Sequence, residues 1–315
     1  MYRATFCAAL LLTALGGCER TSPPSQAAIA TLAPDAEDAT RAAYEQLEQR
    51  SGGRLGVAVV DGTGRAIIAY RPTERFAMCS TFKLPMAAML LDQATKGAID
   101  ASDEVDYVVS ELPDHSPNLI EWAKDGRGSA ALSRAANAAV VTSDNGAANI
   151  VLAALGGPSA LTAQLRDWGD AVTRLDRKEP DLNTNIPGDA RDTTSPLAMA
   201  GLMRGLFAGG LLSDGDVTTL TGWSRNVATG MARIRAVVAR TMDAGDKTGT
   251  CGGDNPAYND IAWVKSRGGN MADGLFIAIY LDRPRVEGDG ANAIIAEAAQ
   301  LALNRAAAIR ANTAR

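Results

Sequence analysis

The sequence predicts a mixed α/β (α+β) chain in which a sheet is completed by the two ends of the polypeptide and an all-helical region is inserted between them. Strand-like runs cluster at residues 55–70 and again at 241–282, whereas the intervening stretch carries apolar residues at helical spacing. The composition agrees with a folded chain of this size: 315 residues, 46% hydrophobic and 21% charged, enough to enclose a substantial core. A net charge of -5 gives no basic footprint, so nucleic acid is not an expected partner. With one histidine, His115, no histidine-rich metal centre is expected, and any Ser-His-Asp triad would depend on that residue.

Taken in order, residues 1–18 read as an export leader, with Arg3 as the positive charge and an apolar run from Phe6 to Leu15 too short for a stable span. Leu15-Gly16-Gly17-Cys18 is similar to the bacterial lipobox, which makes Cys18 the candidate lipidated residue and membrane anchor. An ordinary leader cleaved later is the alternative. Residues 19–36, rich in Ser, Thr, Pro, Ala and Gln, read as a flexible tether. A polar, alanine-rich helix is expected over 35–50, followed by a hairpin of strands 55–60 and 66–70 around Asp61-Gly62-Thr63-Gly64-Arg65.

From residue 82 to 210 strand signals fade, and helices are expected over 82–96 with Gly97 as the stop, 130–141, 145–155 and 196–207. Strands return at 241–251, 261–265 and 275–282, and an alanine-rich helix over 292–309 closes the chain. The expected domains are therefore a discontinuous α/β unit, 37–71 with 225–315, and an all-α unit, 72–224, with a cleft where they meet.

Four short motifs carry chemistry. In Ser80-Thr81-Phe82-Lys83, at an expected helix start, a hydroxyl and an amine three residues apart share a face, so a neutral lysine can take the serine proton. Ser143-Asp144-Asn145 lies between two helical runs, where a loop presents a hydroxyl and a carboxamide, or simply caps a helix. Glu179 and Asn183 fall in a patternless loop, about 175–194, where a carboxylate and an amide four residues apart can hold and deprotonate a water. Lys247-Thr248-Gly249, on a strand continuing through Thr250, offers a cation and hydroxyls to a substrate carboxylate and a glycine that lets a ligand near the backbone. Each alone is a common tripeptide or tetrapeptide with an ordinary structural reading.

Together and in this order, Ser-Xaa-Xaa-Lys, Ser-Asp-Asn, Glu-Xaa-Xaa-Leu-Asn and Lys-Thr-Gly resemble the signature set of the class A serine β-lactamases. The resemblance implies the fold shared with penicillin-binding transpeptidases, an antiparallel sheet flanked by helices plus an inserted all-α domain. It implies Ser80 as acylated nucleophile, Lys83 as its activating neighbour, Ser143 as proton shuttle and Glu179 with Asn183 as holders of the deacylating water. It places Asn145 on the substrate side chain, Lys247, Thr248, Gly249 and Thr250 on the substrate carboxylate, Arg233 behind that strand and His115 at the cleft mouth. The backbone N–H groups of Ser80 and Thr250 would form the oxyanion hole, and Arg177 with Asp192 would close the Ω-loop.

Two cysteines, Cys79 and Cys251, belong to the folded part, as a bridge or as two buried thiols. Their positions beside the nucleophile and after Lys-Thr-Gly-Thr resemble the class A carbapenemases with an active-site disulfide. That likeness implies the bridge, and hydrolysis of carbapenems besides penicillins and cephalosporins. No cofactor or metal is implied, the partners are small-molecule β-lactams, a periplasmic monomer is the family's habit, and Glu179 with Asn183 distinguishes the pattern from a transpeptidase. The segment between Pro117 and Ser143 runs a few residues longer than in those carbapenemases.

Overall fold

The computed structural model describes residues 38–313; the leader, tether and Cys18 lie outside the described residues. Helix α1 (Asp38–Ser51) turns Tyr44 and Leu47 inward and leads into the hairpin of β1 (Arg54–Asp61) and β2 (Ala66–Tyr70). Asp61 shapes the hairpin turn by accepting hydrogen bonds from the backbone N–H groups of Thr63 and Arg65, both at 3.0 Å. After β3 (Phe76–Ala77) a single 3₁₀ turn, Cys79–Phe82, hands over to α2 (Lys83–Thr95). Every residue of α2 from Lys83 to Asp92 is buried, which explains why its apolar pattern reads as continuous rather than one-sided, and the helix stops at Gly97, whose φ of +71° suits a residue without Cβ.

The next stretch departs from the expected run of helices. Strand β4 (Glu104–Val108) pairs antiparallel with β5 (Arg127–Ala131), and α3 (Pro117–Trp122) lies between them. Both strands bury only one residue in five, so their polar exposed positions hide the strand signal. Helices α4 (Leu132–Val141), α5 (Asn145–Ala154) and α6 (Pro158–Asp167) follow, α6 having escaped the sequence reading because of its polar face. A long loop with one 3₁₀ turn, Asp181–Asn183, ends in β6 (Thr193–Thr194), which pairs with β3 and so ties the loop to the segment before Ser80. Helices α7 (Pro196–Ala208) and α8 (Asp214–Arg225) precede β7 (Met242–Cys251), β8 (Ala257–Ser266), β9 (Leu275–Asp282) and α9 (Asp289–Thr313).

The main sheet runs β2-β1-β9-β8-β7, antiparallel throughout, with β1 and β9 in register at Leu55 and Leu281. Alternation along the strands divides two cores. Leu55, Val57, Val59, Ile277 and Ile279 pack against α1 and α9, while Ala58, Val60, Phe276, Ala278 and Tyr280 face the helical side, which contains α2 and α7. Because both faces are covered, β9 is buried at every position and reads as a nearly continuous apolar run, and each fully buried Leu, Ile or Val contributes about 1.5–3 kcal/mol. Edge strand β7 runs alongside the 3₁₀ turn of Ser80, and the gap between them is where the chemistry-bearing motifs converge.

Candidate active site

Ser80 sits in the 3₁₀ turn one step before α2 rather than in an α-helical first turn, and Cys79 before it has a left-handed φ of +47°. The turn is pinned from the sheet, since Asn259 on β8 donates from Nδ2 to the carbonyls of Ala77 (2.9 Å) and Met78 (3.1 Å). Gly249 on β7 lies against the same turn, where an added Cβ would stand 2.5 Å from the Met78 carbonyl oxygen. Its missing side chain lets β7 approach the serine turn.

Ser80 and Lys83 meet through a third group. Ser80 Oγ donates to Glu179 Oε1 at 3.5 Å, and Lys83 Nζ lies 3.0 Å from that same oxygen. Lys83 is fully buried and also donates to the Ser143 carbonyl (2.7 Å), Ser143 Oγ (3.4 Å) and Asn145 Oδ1 (2.5 Å). Burial pushes its ammonium below the ordinary lysine range, and the Glu179 carboxylate opposes that shift.

Glu179 is held from several directions. Asn183 Nδ2 donates to Oε2 at 2.5 Å, one turn further along. Asn149 on α5 clamps the backbone, donating to the Glu179 carbonyl (2.9 Å) and accepting from its N–H (3.0 Å). Sequence reasoning passed over Asn149; its only signal is an amide four residues after Asn145 in an apolar helix. Arg177 Nε, 2.6 Å from Asp192 Oδ2, closes the base of the loop as the resemblance implies.

In Ser143-Asp144-Asn145 the middle residue does the holding. Asp144 caps α5 through the Ala147 N–H (2.8 Å) and accepts from Asn118 N (2.9 Å) and Leu119 N (3.2 Å) of α3. Ser143 adopts a left-handed φ of +62°, and its hydroxyl receives a hydrogen bond from Lys247 Nζ at 3.0 Å. Such non-glycine conformations are retained where the surroundings enforce them, and Cys79 and Ser143 border the gap, while His115 (φ +60°) lies beside Asn145. His115 is exposed, contacts the Thr142 carbonyl through Nε2 at 3.0 Å, and accepts at its own carbonyl from Asn145 N at 2.9 Å.

On the opposite wall Lys247 is fully buried yet hydrogen-bonds only neutral oxygens, Ser143 Oγ and the Thr248 carbonyl (2.9 Å). Burial, reinforced by Lys83, pulls its pKa down to about 7, with Asp246 and Asp260 opposing. Thr248 Oγ1 lies 2.6 Å from Thr229 Oγ1. Behind the strand Arg233 is buried rather than a surface residue, donating to the carbonyls of Gly249 (3.0 Å) and Asn259 (2.6 Å), to Thr250 Oγ1 (2.7 Å) and to Asn292 Oδ1 (2.8 Å). Asp246, against which Gly230 packs so closely that a Cβ would sit 1.5 Å from Oδ2, has its pKa raised to about 6 by burial despite Arg235 Nε at 2.8 Å. Cys79 and Cys251 are disulfide-bonded with Cα atoms 5.6 Å apart, linking the serine turn to the end of β7.

The profile of the Beta-lactamase enzyme family matches residues 39–306. The chain belongs to the class A β-lactamases. Among relatives of this class A enzyme, beta-lactamase CTX-M-97 of Escherichia coli is 41% identical over 257 residues, covering 82% of this chain and 86% of its own. An imipenem-hydrolyzing beta-lactamase of Enterobacter cloacae is 39% identical over 264 residues, covering 82% and 87%. The solved class A β-lactamase of the last common ancestor of Gram-negative bacteria superposes with a TM-score of 0.78 at 44% identity, over 84% of this chain and 97% of that one. A β-lactamase from Xanthomonas campestris gives 0.78 at 35% identity, over 84% and 97%. As a class A β-lactamase, the chain hydrolyses β-lactams.

Proposed function

We propose that this β-lactamase opens penicillins, cephalosporins and carbapenems through an acyl-enzyme on Ser80, and thereby confers antibiotic resistance. The observation that carries the reading is one carboxylate oxygen, Glu179 Oε1, approached by both Ser80 Oγ and Lys83 Nζ while Asn183 engages the other oxygen. Ser80 Oγ attacks the lactam carbonyl and its proton passes to the Lys83–Glu179 pair. The developing oxyanion is received by the backbone N–H groups of Ser80 and Thr250. Ser143, bridging Lys83 and Lys247, delivers a proton to the lactam nitrogen as the C–N bond breaks. A water between Glu179 and Asn183 then gives its proton to the carboxylate and attacks the ester carbon, releasing the ring-opened acid and restoring the Ser80 hydroxyl.

Substrate recognition falls to Lys247, Thr248 and Thr250 for the carboxylate, Asn145 for the side-chain amide and His115 for the cleft wall. Arg233 keeps the carboxylate-binding strand in place and adds positive charge behind it. Carbapenem hydrolysis is supported by the Cys79–Cys251 bridge beside the nucleophile and by the imipenem-hydrolyzing relative. The leader and Leu15-Gly16-Gly17-Cys18 support export to the periplasm with a lipid anchor at Cys18, and a monomer follows the family's habit.

The test is a hydrolysis panel on the wild type and Glu179→Ala, with the acyl-enzyme followed by intact mass. Wild type is expected to turn over a penicillin, a cephalosporin and a carbapenem, and Glu179→Ala to accumulate the penicilloyl-enzyme. A carbapenem that acylates Ser80 once and stalls removes the carbapenemase reading. Unchanged penicillin turnover in Glu179→Ala removes Glu179 as the deacylation base.

A further inference from the structure

Beside the entrance of the long loop the structure holds a pocket of about 400 Å³, open to solvent, lined by Arg75, Arg166, Arg174, Asp176, Ser159 and Thr162. Three guanidinium groups face one carboxylate, in a chain whose net charge is -5. That carboxylate is already taken, because Asp176 receives Arg174 through both Nε (2.9 Å) and Nη2. Arg75 and Arg166 are held by neutral acceptors only. Arg75 Nη1 donates to the Val172 carbonyl and Thr193 Oγ1, both at 3.0 Å, and Arg166 Nη1 donates to the carbonyls of Asp170 and Thr173. Neither forms an ion pair among the described residues, and the Nε and Nη2 groups of both keep their hydrogen-bonding capacity.

We infer that this cavity is a binding site for a compact, multiply charged oxyanion of the phosphate class. Two arguments converge on that ligand. Anchoring the exposed Arg75 and Arg166 each through one nitrogen orients the fork while leaving its charge without a carboxylate partner among the described residues, so an anion meets donors that need less further ordering. The planar donor pairs match tetrahedral oxyanions in bidentate fashion, which favours phosphate over a monovalent halide. The volume exceeds that of a bare phosphate and lies at the small end of ligand sites, leaving room for hydration or for the organic part of a phosphate monoester.

The site is also built into the loop that carries Glu179. Thr162 Oγ1 donates to the Leu175 carbonyl and accepts from the Leu175 N–H, both at 2.9 Å, so one cavity wall on α6 is tied to the strand of chain entering the loop. An anion joining Arg75, Arg166 and Arg174 therefore bridges the segment before Ser80, α6 and the loop's entrance.

The experiment is a calorimetric titration of the full chain with inorganic phosphate against sodium chloride at equal ionic strength, with thermal unfolding as a second readout and no β-lactam present. One phosphate equivalent is expected to bind the wild type, with a saturable rise in unfolding midpoint of about 3 °C. Arg166→Gln is expected to weaken binding about tenfold. Ser159→Asp places a negative charge at the cavity rim in the first turn of α6, where acidic residues are tolerated, and is expected to weaken phosphate about tenfold with its own unfolding midpoint unchanged. Phosphate binding no better than chloride, or binding to Ser159→Asp as tight as to the wild type, overturns the assignment. A phosphate monoester that binds more tightly than inorganic phosphate identifies the organic form as the better-fitting occupant and supports the site.

Discussion

Two lysines, equally buried on opposite walls of the cleft, are compensated in different ways. Lys83 has a carboxylate, Glu179, at 3.0 Å as well as carbonyl and amide acceptors, whereas Lys247 has a hydroxyl and a carbonyl. The carboxylates that oppose the fall in the Lys247 pKa, Asp246 and Asp260, lie behind its strand. The Lys83 charge is opposed by a carboxylate at contact distance, whereas the Lys247 charge is left for an anionic ligand to compensate, which is the division of roles proposed above. The same residue type in the same degree of burial thus differs in what lies against it.

Replacing each lysine by methionine breaks the comparison most directly. Lys83→Met leaves the Glu179 carboxylate buried without its cation, and is expected to cost about 3 kcal/mol in denaturant unfolding. In the same variant acylation, followed by stopped-flow, should slow about a thousandfold. Lys247→Met removes a buried charge that lacks an ion-pair partner, so the same unfolding measurement should show no loss or a small gain. Its kcat/KM should nevertheless fall about a hundredfold, chiefly through KM. Equal destabilisation by the two substitutions contradicts the distinction.

The pH dependence sharpens it. With Lys247 titrating near pH 7 in the folded chain and near 10.5 when unfolded, the unfolded chain holds the extra proton between those values. Stability from this group therefore rises with pH across that window, while kcat/KM for a carboxylate-bearing substrate falls as pH climbs through about 7. Asp246, one residue earlier and titrating near 6 instead of 3.8, has the opposite slope: the folded chain holds the extra proton between those values, so its contribution is lost as pH rises through 6. Unfolding midpoints of the wild type, Lys247→Met and Asp246→Asn across pH 4–10 separate the two. The smallest effect is expected at His115, where His115→Ala should change KM about twofold, because an exposed side chain with one carbonyl contact contributes little.

Where burial is one-sided or complete over a long run, sequence and structure agree: α2, α5, α7 and β9 read directly from apolar spacing, whereas β8 begins four residues before the expected 261–265 and takes in the polar stretch Tyr258-Asn259-Asp260. Strands β4 and β5 were illegible because only one position in five of each is fully buried, and α6 and α8 because their apolar faces are narrow. Within the site, chemistry-bearing motifs announced Ser80, Lys83, Ser143, Glu179 and Lys247, but not what holds them. Asn149 and Asn259 depend on contacts between elements far apart in sequence, and no local pattern encodes such contacts, whereas the cap from Asp144 to the Ala147 N–H is local and was legible as the helix-cap reading of Ser143-Asp144-Asn145. The burial of Arg233 was illegible for the same reason, since its partners come from β7, β8 and α9.

The pairing of Leu55 with Leu281 has a kinetic consequence. The central ladder of the sheet joins a strand made early in synthesis to one made almost last, so the chain cannot close its main sheet while it is still emerging. Contacts so distant in sequence make for slow folding, with the loop entropy lost before the ladder returns any stabilisation. A nascent chain therefore keeps this ladder open until β9 has been made, which leaves the apolar segment Leu275–Asp282 as a stretch in need of protection from aggregation.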